Sequence, residues 1–379
     1  MLTKIRDEID AIDNQLTELY SKRMQLAKGV AETKIANHLP VYNPAREKDI
    51  INRVTKGVAP EIKLYTKQFF NTIFETSKGY QNQFIEKDSS IRNMVNASIS
   101  AGKKRFPIEA TVAVSGVQGA YAGIATEKLF EISDITYFKN FDGVFTAVEK
   151  GLCEYGVLPI ENSSVGSVNA VYDLMQQHNF YIVRGIKMRI QHNLIVPYGT
   201  KISDIKEIVS HEQAIGQCSK FINSLKDVKV TVVENTALAG RMVADSGRKD
   251  IACIASNETA SLYGLTILQS AINDNNNNYT RFIVISKEFQ IFENANKISI
   301  MVSLAHESGS LNKLLNKFST LGLSLTKLES RPIENSMFEF LFYFDFEADI
   351  CSNEVINLIS ELANNEDVFA FLGSYCEVN

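Results

Sequence analysis

Apolar residues in the first 85 positions recur at helical spacing. Ile5, Ile9, Ile12, Leu16, Leu19, Leu26 and Val30 follow three- and four-residue steps, which predicts one long amphipathic helix. Counting by sevens from Ile9 and Leu16, the seam falls on Arg23 and then Val30, with Lys34 one turn on and Arg6 beside its start. A cation on an apolar seam is costly unless paired, and this stripe carries no carboxylate. The cation either snorkels at a seam between chains or meets an outside anion. After Pro40 and Pro44 a second helix is expected from Arg46-Glu47, with Ile50, Ile51 and Val54 as its apolar face and Pro60 as its end. A third carries Ile62, Phe69 and Ile73, and polar Ser77 and Gln81 continue the same face. Inward Arg, Lys, Glu, Ser and Gln in a three-helix set suggest a pocket in the bundle core for a small dianion.

Residues 86–110 mix Ser, Asn, Gly and Lys without clear periodicity and read as the end of the third helix plus a linker. From Thr111 strands and helices alternate, the pattern of an α/β domain. Within it, Tyr155–Val168 (YGVLPIENSSVGSV) opens as an apolar strand, passes through Glu161-Asn162-Ser163-Ser164, and gives way to a helical pattern after Gly166. Hydroxyl and amide groups at a helix start suit a carboxylate or phosphate, and also suit an ordinary helix cap. Two further polar runs are SHEQAIGQCSKF (Ser210–Phe221) and NDNNNNYTRFIVI (Asn273–Ile285), the latter an Asn-rich loop entering a strand at Thr280-Arg281-Phe282. Residues 297–376 read strand, helix, strand, strand, helix, strand, a ferredoxin-like α+β order, with the alternation Phe338, Phe340, Phe342, Phe344 marking one aromatic face.

Composition narrows the possibilities. A chain of 379 residues, 45% hydrophobic, has room for two or three cores. A net charge of −5 and no long basic run argue against a nucleic-acid partner. Five scattered cysteines without CxxC spacing fit reduced thiols in a cytoplasmic protein, and five histidines share no ligand spacing, so neither disulfide nor metal is expected. The charged start MLTKIRDEID is unlike a signal peptide, and no apolar stretch approaches the ~20 residues of a membrane span. Neither GxGxxG nor GxxxxGK[ST] occurs, so no nucleotide cofactor, and no cofactor of any kind, is expected.

The run IRDEIDAID, LYSKRMQLAKGVAETK, PVYNPAREKDII and SKGYQ resembles the all-helical chorismate mutase domain. That resemblance implies carboxylate clamps at Arg6 and Arg23, with Arg6 serving the partner chain of a homodimer or larger homo-oligomer. It places Lys34 and Gln81 on the substrate's ether oxygen, Glu47 on its ring hydroxyl, and Ser77 and Arg46 in support. Asn43 stands where many relatives have Asp. GVLPIENSSVGSV, SHEQAIGQCSKF, LYGL and NNYTRF, in this order, resemble prephenate dehydratase. This implies two α/β lobes resembling a periplasmic binding protein, roughly 111–187 plus 275–290 and 188–274. It also implies that dehydration depends on Thr280, in a cleft lined by Glu161, Asn162, Ser163, Ser164, Ser210, Gln217 and Cys218. Arg281 and Phe282 hold the strand and its cation near the substrate, and Glu161 is a candidate relay for the proton. Val117, Ala120 and Ala122 depart from the hydroxyl- and proline-bearing pattern of many relatives. Gly309-Ser310-Leu311 and Glu329-Ser330-Arg331-Pro332 resemble the phenylalanine-binding motifs of the ACT domain, against plain readings as a helix cap and a turn.

The expected organisation is thus a mutase bundle at 1–88, a linker at 89–110, a dehydratase at 111–290 and an ACT unit at 297–379. The expected activity is chorismate to prephenate to phenylpyruvate, with phenylalanine as feedback effector. The alternatives are an arogenate dehydratase and a non-catalytic small-molecule binding protein on the same two-lobed fold.

Overall fold

The computed structural model describes residues 2–379 except 38, 40–42, 83, 85–89, 101, 103, 276, 308, 334–339 and 366–367; the expectations for Pro40 and Phe338 lie outside the described residues. The first apolar stripe forms α1 (Leu2–Ala36); α2 (Pro44–Lys56) packs against α3 (Lys63–Asn82), which packs against the second half of α1. Asn43 caps α2, its Oδ1 accepting from Arg46 N at 3.0 Å, with Pro44 in the first turn. Residues 2–22 of α1 are exposed throughout, the apolar Leu2, Ile5, Ile9, Ile12, Leu16 and Leu19 included.

The stretch expected as linker instead contains α4 (Ser90–Ser100). Its Ile91, Met94, Val95 and Ile99 lie on one helical face and join the core of the carboxy-terminal unit, with Val95 fully buried. The face is short, and its partner lies far along the chain.

The middle region begins with β1 (Glu109–Ser115), α5 (Tyr121–Leu129), β2 (Ile132–Phe138), α6 (Phe141–Glu149), β3 (Tyr155–Asn162), β4 (Gly166–Ser167), α7 (Asn169–Met175) and β5 (Tyr181–Arg189). The chain then crosses into a second lobe. This contains β6 (Asn193–Val196), β7 (Glu207–Ser210), α8 (Glu212–Gln217), α9 (Ser219–Ser224), β8 (Lys229–Val232), α10 (Thr236–Asp245), β9 (Ile251–Ala255), α11 (Asn257–Leu262) and β10 (Thr266–Gln269). The chain returns as β11 (Tyr279–Ser286), which lies between β5 and β3 in the first sheet. The second lobe has its own sheet, in the order β10-β6-β9-β7-β8. Two sheets joined by two crossings leave a cleft bordered by the segments before β6 and before β11.

β12 (Lys297–Ser303), α12 (Ser310–Thr320), β13 (Ser324–Pro332), β14 (Phe340–Glu347), α13 (Asn353–Asn365) and β15 (Phe369–Val378) complete the chain as βαββαβ. Their antiparallel sheet, β13-β14-β12-β15, is not separate. β15 runs on to pair in parallel with β5, giving the continuous order β13-β14-β12-β15-β5-β11-β3-β1-β2. Gly373 permits the junction: at φ +145°, a Cβ there would stand 2.2 Å from the Ile182 carbonyl oxygen, so β15 passes closely only with glycine. Among the described residues, no helix is long and apolar enough to cross a membrane and no His/Cys/Asp/Glu group could hold a metal.

Candidate active sites

In the bundle, α1 and α3 bring Lys34 and Gln81 together, Nζ to Oε1 at 3.3 Å. Gln81 Nε2 donates to the carbonyl of Ser77 at 3.1 Å and to its hydroxyl at 3.3 Å, and both residues are buried. Glu47 enters from α2 and meets Lys78 at 3.2 Å; Lys78 also pairs with Glu75 at 2.7 Å. The pattern of apolar positions did not single out Lys78. Arg23 lies 5.9 Å above the Phe74 ring, and its buried Nη1 has no hydrogen-bond partner among the described residues. Burial lowers its pKa, the expected mark of a cation lacking a counter-charge. Lys34 is lowered for the same reason, with Glu47 opposing. Arg6 and Arg46 are exposed, so one chain assembles Arg23, Lys34, Glu47, Ser77 and Gln81 without them.

In the two-lobed middle region, strand alternation sets which groups share a face. On β11, Phe282 and Val284 belong to the core under α5, and Ile283 and Ile285 to the core under α6 and α7. Thr280 therefore faces one side with Phe282, and Arg281 the other. Opposite, Thr280 pairs with Asn162 and Arg281 with Glu161, but Phe282 pairs with Pro159. A bulge at Ile160 and Glu161 puts both on the Arg281 side and returns Asn162 to the Thr280 side.

The Thr280 side holds a connected amide network. Asn162 Nδ2 donates to Thr280 Oγ1 at 2.8 Å and to Asn278 Oδ1 at 2.9 Å, and Asn162 Oδ1 accepts from Ser164 N at 3.0 Å. Asn278 Nδ2 donates to Gln217 Oε1 at 2.9 Å, and His192 Nε2 donates to the same oxygen at 3.0 Å. With Oε1 doubly engaged, the Gln217 amide is fixed with its buried Nε2 lacking a partner among the described residues. It is a donor awaiting an acceptor. Burial lowers the His192 pKa and favours the neutral ring. Thr280 already accepts from Asn162 and so keeps its own proton to donate. Ser163 ties the loop to β11, accepting from Tyr279 N at 2.9 Å and donating to the Asn277 carbonyl at 2.9 Å. Asn278 and His192 escaped the sequence reading, the first hidden in a run of four asparagines and the second without any motif.

Several expected cleft residues are elsewhere. Glu161 pairs with Lys327 of β13 at 2.9 Å on the opposite sheet face, so it is no relay to Thr280. Arg281 likewise turns away, binding Asp345, Glu377 and Tyr375. Phe282 is core. Ser210 is fully buried, its hydroxyl donating to the Ile254 carbonyl at 2.7 Å, and Cys218 is fully buried in the second lobe, where desolvation pushes its thiol up to about 12. Ala122 is core, and Ala120 caps α5 without a side-chain bond.

In the carboxy-terminal unit, Gly309 caps α12 at φ +89°, beside a cavity of about 320 Å³ lined by residues that include Leu304, Glu307, Ser310, Leu311, Phe340 and Phe342. The expected tetrapeptide divides across its strand. Ser330 pairs with Phe342 on the cavity face, whereas Glu329 and Arg331 face the first lobe. Glu329 accepts from the Ser167 hydroxyl, and Arg331 holds Asp173 through two bonds of 2.7 and 2.8 Å. Pro332 ends β13.

Residues 5–82 match the family model for chorismate mutase type II and residues 112–290 that for prephenate dehydratase. The bifunctional chorismate mutase/prephenate dehydratase of Escherichia coli (strain K12) is 31% identical over 386 residues, covering 100% of this chain and 97% of that protein. The chloroplastic arogenate dehydratase/prephenate dehydratase 2 of Arabidopsis thaliana is 35% identical, covering 92% of this chain and 89% of that protein. A crystal structure of prephenate dehydratase from Arthrobacter aurescens in complex with L-Phe aligns with a TM-score of 0.65 at 26% identity, over 70% of this chain and 89% of that one. Full-length similarity and two matched models in the same order lead to one conclusion: the chain belongs to the family of bifunctional chorismate mutase/prephenate dehydratases.

Proposed function

We propose that the bundle rearranges chorismate to prephenate and that the cleft turns prephenate into phenylpyruvate, with Thr280 donating to the departing hydroxyl. The observation that carries the reading is the Thr280–Asn162–Asn278–Gln217 network, which presents a free hydroxyl proton and a partnerless amide donor on one face. The first reaction is unimolecular: an ether C–O bond breaks as a C–C bond forms. The bundle therefore needs only to hold the compact conformer and stabilise charge on the ether oxygen. Lys34 and Gln81 serve that oxygen, Glu47 the ring hydroxyl, and Arg23 a carboxylate. The exposed apolar face of residues 2–22 supports a homodimer in which the partner supplies Arg6. In the second reaction the C–CO2 electron pair enters the ring, and the hydroxyl leaves as water after taking one proton. Phenylpyruvate and carbon dioxide remain. Aromatisation drives the step, so oriented donation suffices, and Gln217 Nε2 serves a substrate oxygen.

Residues 1–88, 111–290 and 297–379 are then the mutase, dehydratase and ACT units, with α4 belonging to the last. The cavity beside Gly309 takes phenylalanine, its ring against Phe340 and Phe342 and its carboxylate at the start of α12. Pure protein supplied with chorismate should yield prephenate and then phenylpyruvate. Thr280→Ala should stop at prephenate, and Thr280→Ser should retain a sizeable fraction of turnover. Phenylpyruvate from the alanine variant at the wild-type rate refutes the assignment. Faster turnover of arogenate than of prephenate would instead mark an arogenate dehydratase.

A further inference from the structure

Arg281 adjoins Thr280, but among the described residues its side-chain hydrogen bonds and ion pairs all lie on the opposite side of the sheet. Its Nε binds Glu377, Nη1 binds Asp345, and Nη2 donates to the Tyr375 hydroxyl at 2.7 Å. Ser299 joins Asp345 to Tyr375, and Lys297 and Lys187 each reach Glu377 at 2.9 Å. Arg281, Asp345 and Lys297 are each less than a tenth exposed. All three groups that bind the guanidinium come from the carboxy-terminal unit, and none from the strands of the dehydratase sheet. A buried guanidinium engaged at all three nitrogens cannot shift without leaving charges unpaired. Thr280, on the next residue and the opposite face, is fixed with it.

We infer that Arg281 is a positioning residue for dehydration: the carboxy-terminal sheet, through Asp345 and Glu377, sets where the Thr280 hydroxyl stands. This rests on reading Thr280 as the donor to the leaving hydroxyl. Strand β14 carries both Asp345 and the cavity residues Phe340 and Phe342, so the cavity shares a strand with the anchor.

The test uses the full chain and compares Arg281→Met, Arg281→Lys, Asp345→Asn and Thr280→Ala, each normalised to the folded fraction read from its thermal unfolding transition. A displacement of about 1 Å costs about 10²-fold. Arg281→Met should therefore lose about that much dehydratase kcat, with KM for prephenate within about threefold. Arg281→Lys should recover part of the loss, and Asp345→Asn should fall by about tenfold. If Arg281→Met is poorly folded, Asp345→Asn carries the test by the same kcat and KM criteria. A lower melting temperature with kcat per folded site unchanged overturns the inference, as does a loss confined to KM. An active Thr280→Ala would instead remove the reading beneath it. An inactive Thr280→Ala beside fully active Arg281 and Asp345 variants removes this inference alone.

Discussion

The bulge in β3 leads to a prediction that separates two adjacent polar residues. Asn162 is 6% exposed and bonds Thr280 at 2.8 Å and Asn278 at 2.9 Å. Asn162→Ala removes both bonds and leaves buried acceptors unpaired, which costs about 1–3 kcal/mol. If that energy is expressed in the transition state, at about 1.4 kcal/mol per tenfold, dehydratase turnover should fall about 5- to 150-fold. Glu161→Gln weakens a 2.9 Å pair with Lys327 in which the Glu161 side chain is 34% exposed. Such a pair is worth about 0.2–1 kcal/mol after solvent screening, so the change in turnover should stay within about fivefold. Both variants are assayed by phenylpyruvate formation from prephenate, with chorismate consumption as the internal control. Greater damage from Glu161→Gln than from Asn162→Ala would show that the carboxylate, despite facing β13, takes part in the chemistry, and the face assignment would be wrong.

Gly119 has φ +89°, and a Cβ there would stand 3.3 Å from Leu262 and Thr259 of the other lobe. Gly119→Ala should therefore hold the lobes apart and lower dehydratase kcat/KM by about tenfold, roughly 1–2 kcal/mol of strain and lost contact, with mutase rate unchanged. Mixed dimers of Arg6→Ala and Arg23→Ala chains should regain mutase activity that neither variant has alone; mixing without recovery, while both remain dimeric, refutes a shared site. Burial alone would raise the Glu377 carboxyl, but the charge of Arg281 and the hydrogen bonds of Lys297 and Lys187 outweigh it and hold the carboxyl down at about 2. A depressed carboxyl contributes stability above its unfolded pKa of about 4.5 that is lost as pH falls towards 2. Glu377→Gln should thus be less stable than the wild type at neutral pH in urea unfolding, with the gap closing between about pH 4.5 and pH 2. Gly309→Val should weaken phenylalanine binding in calorimetry more than it alters basal turnover, because a β-branched side chain resists the positive φ of +89° and would shift the start of α12.

Much of this protein was legible in its residue order. Periodicity is local, so the three helices of the bundle, the alternating strands and helices after Thr111 and the final βαββαβ followed from spacing alone. A seam interrupted by Arg23 likewise marked a cation lacking an internal partner, and in the fold its Nη1 is buried without one among the described residues. Burial partners and strand faces are not local. Ile91, Met94, Val95 and Ile99 form a helix whose core lies some two hundred residues further on, and a composition rich in Ser and Asn hid it. The run Glu161-Asn162-Ser163-Ser164 announced polar chemistry at the end of a strand but not which side chain would meet Thr280. Strict alternation from Val157 would have given that place to Glu161. One extra residue in β3, accommodated only when β3 pairs with β11, reverses the choice and sends Glu161 to Lys327. The same holds for Arg281, whose counter-charges Asp345 and Glu377 are 64 and 96 residues away and meet it only because Gly373 lets β15 lie against β5. Sequence specifies the period of each element. The pairing of strands from distant parts of the chain decides which face each side chain occupies, because a shift of one residue moves it to the other side of the sheet.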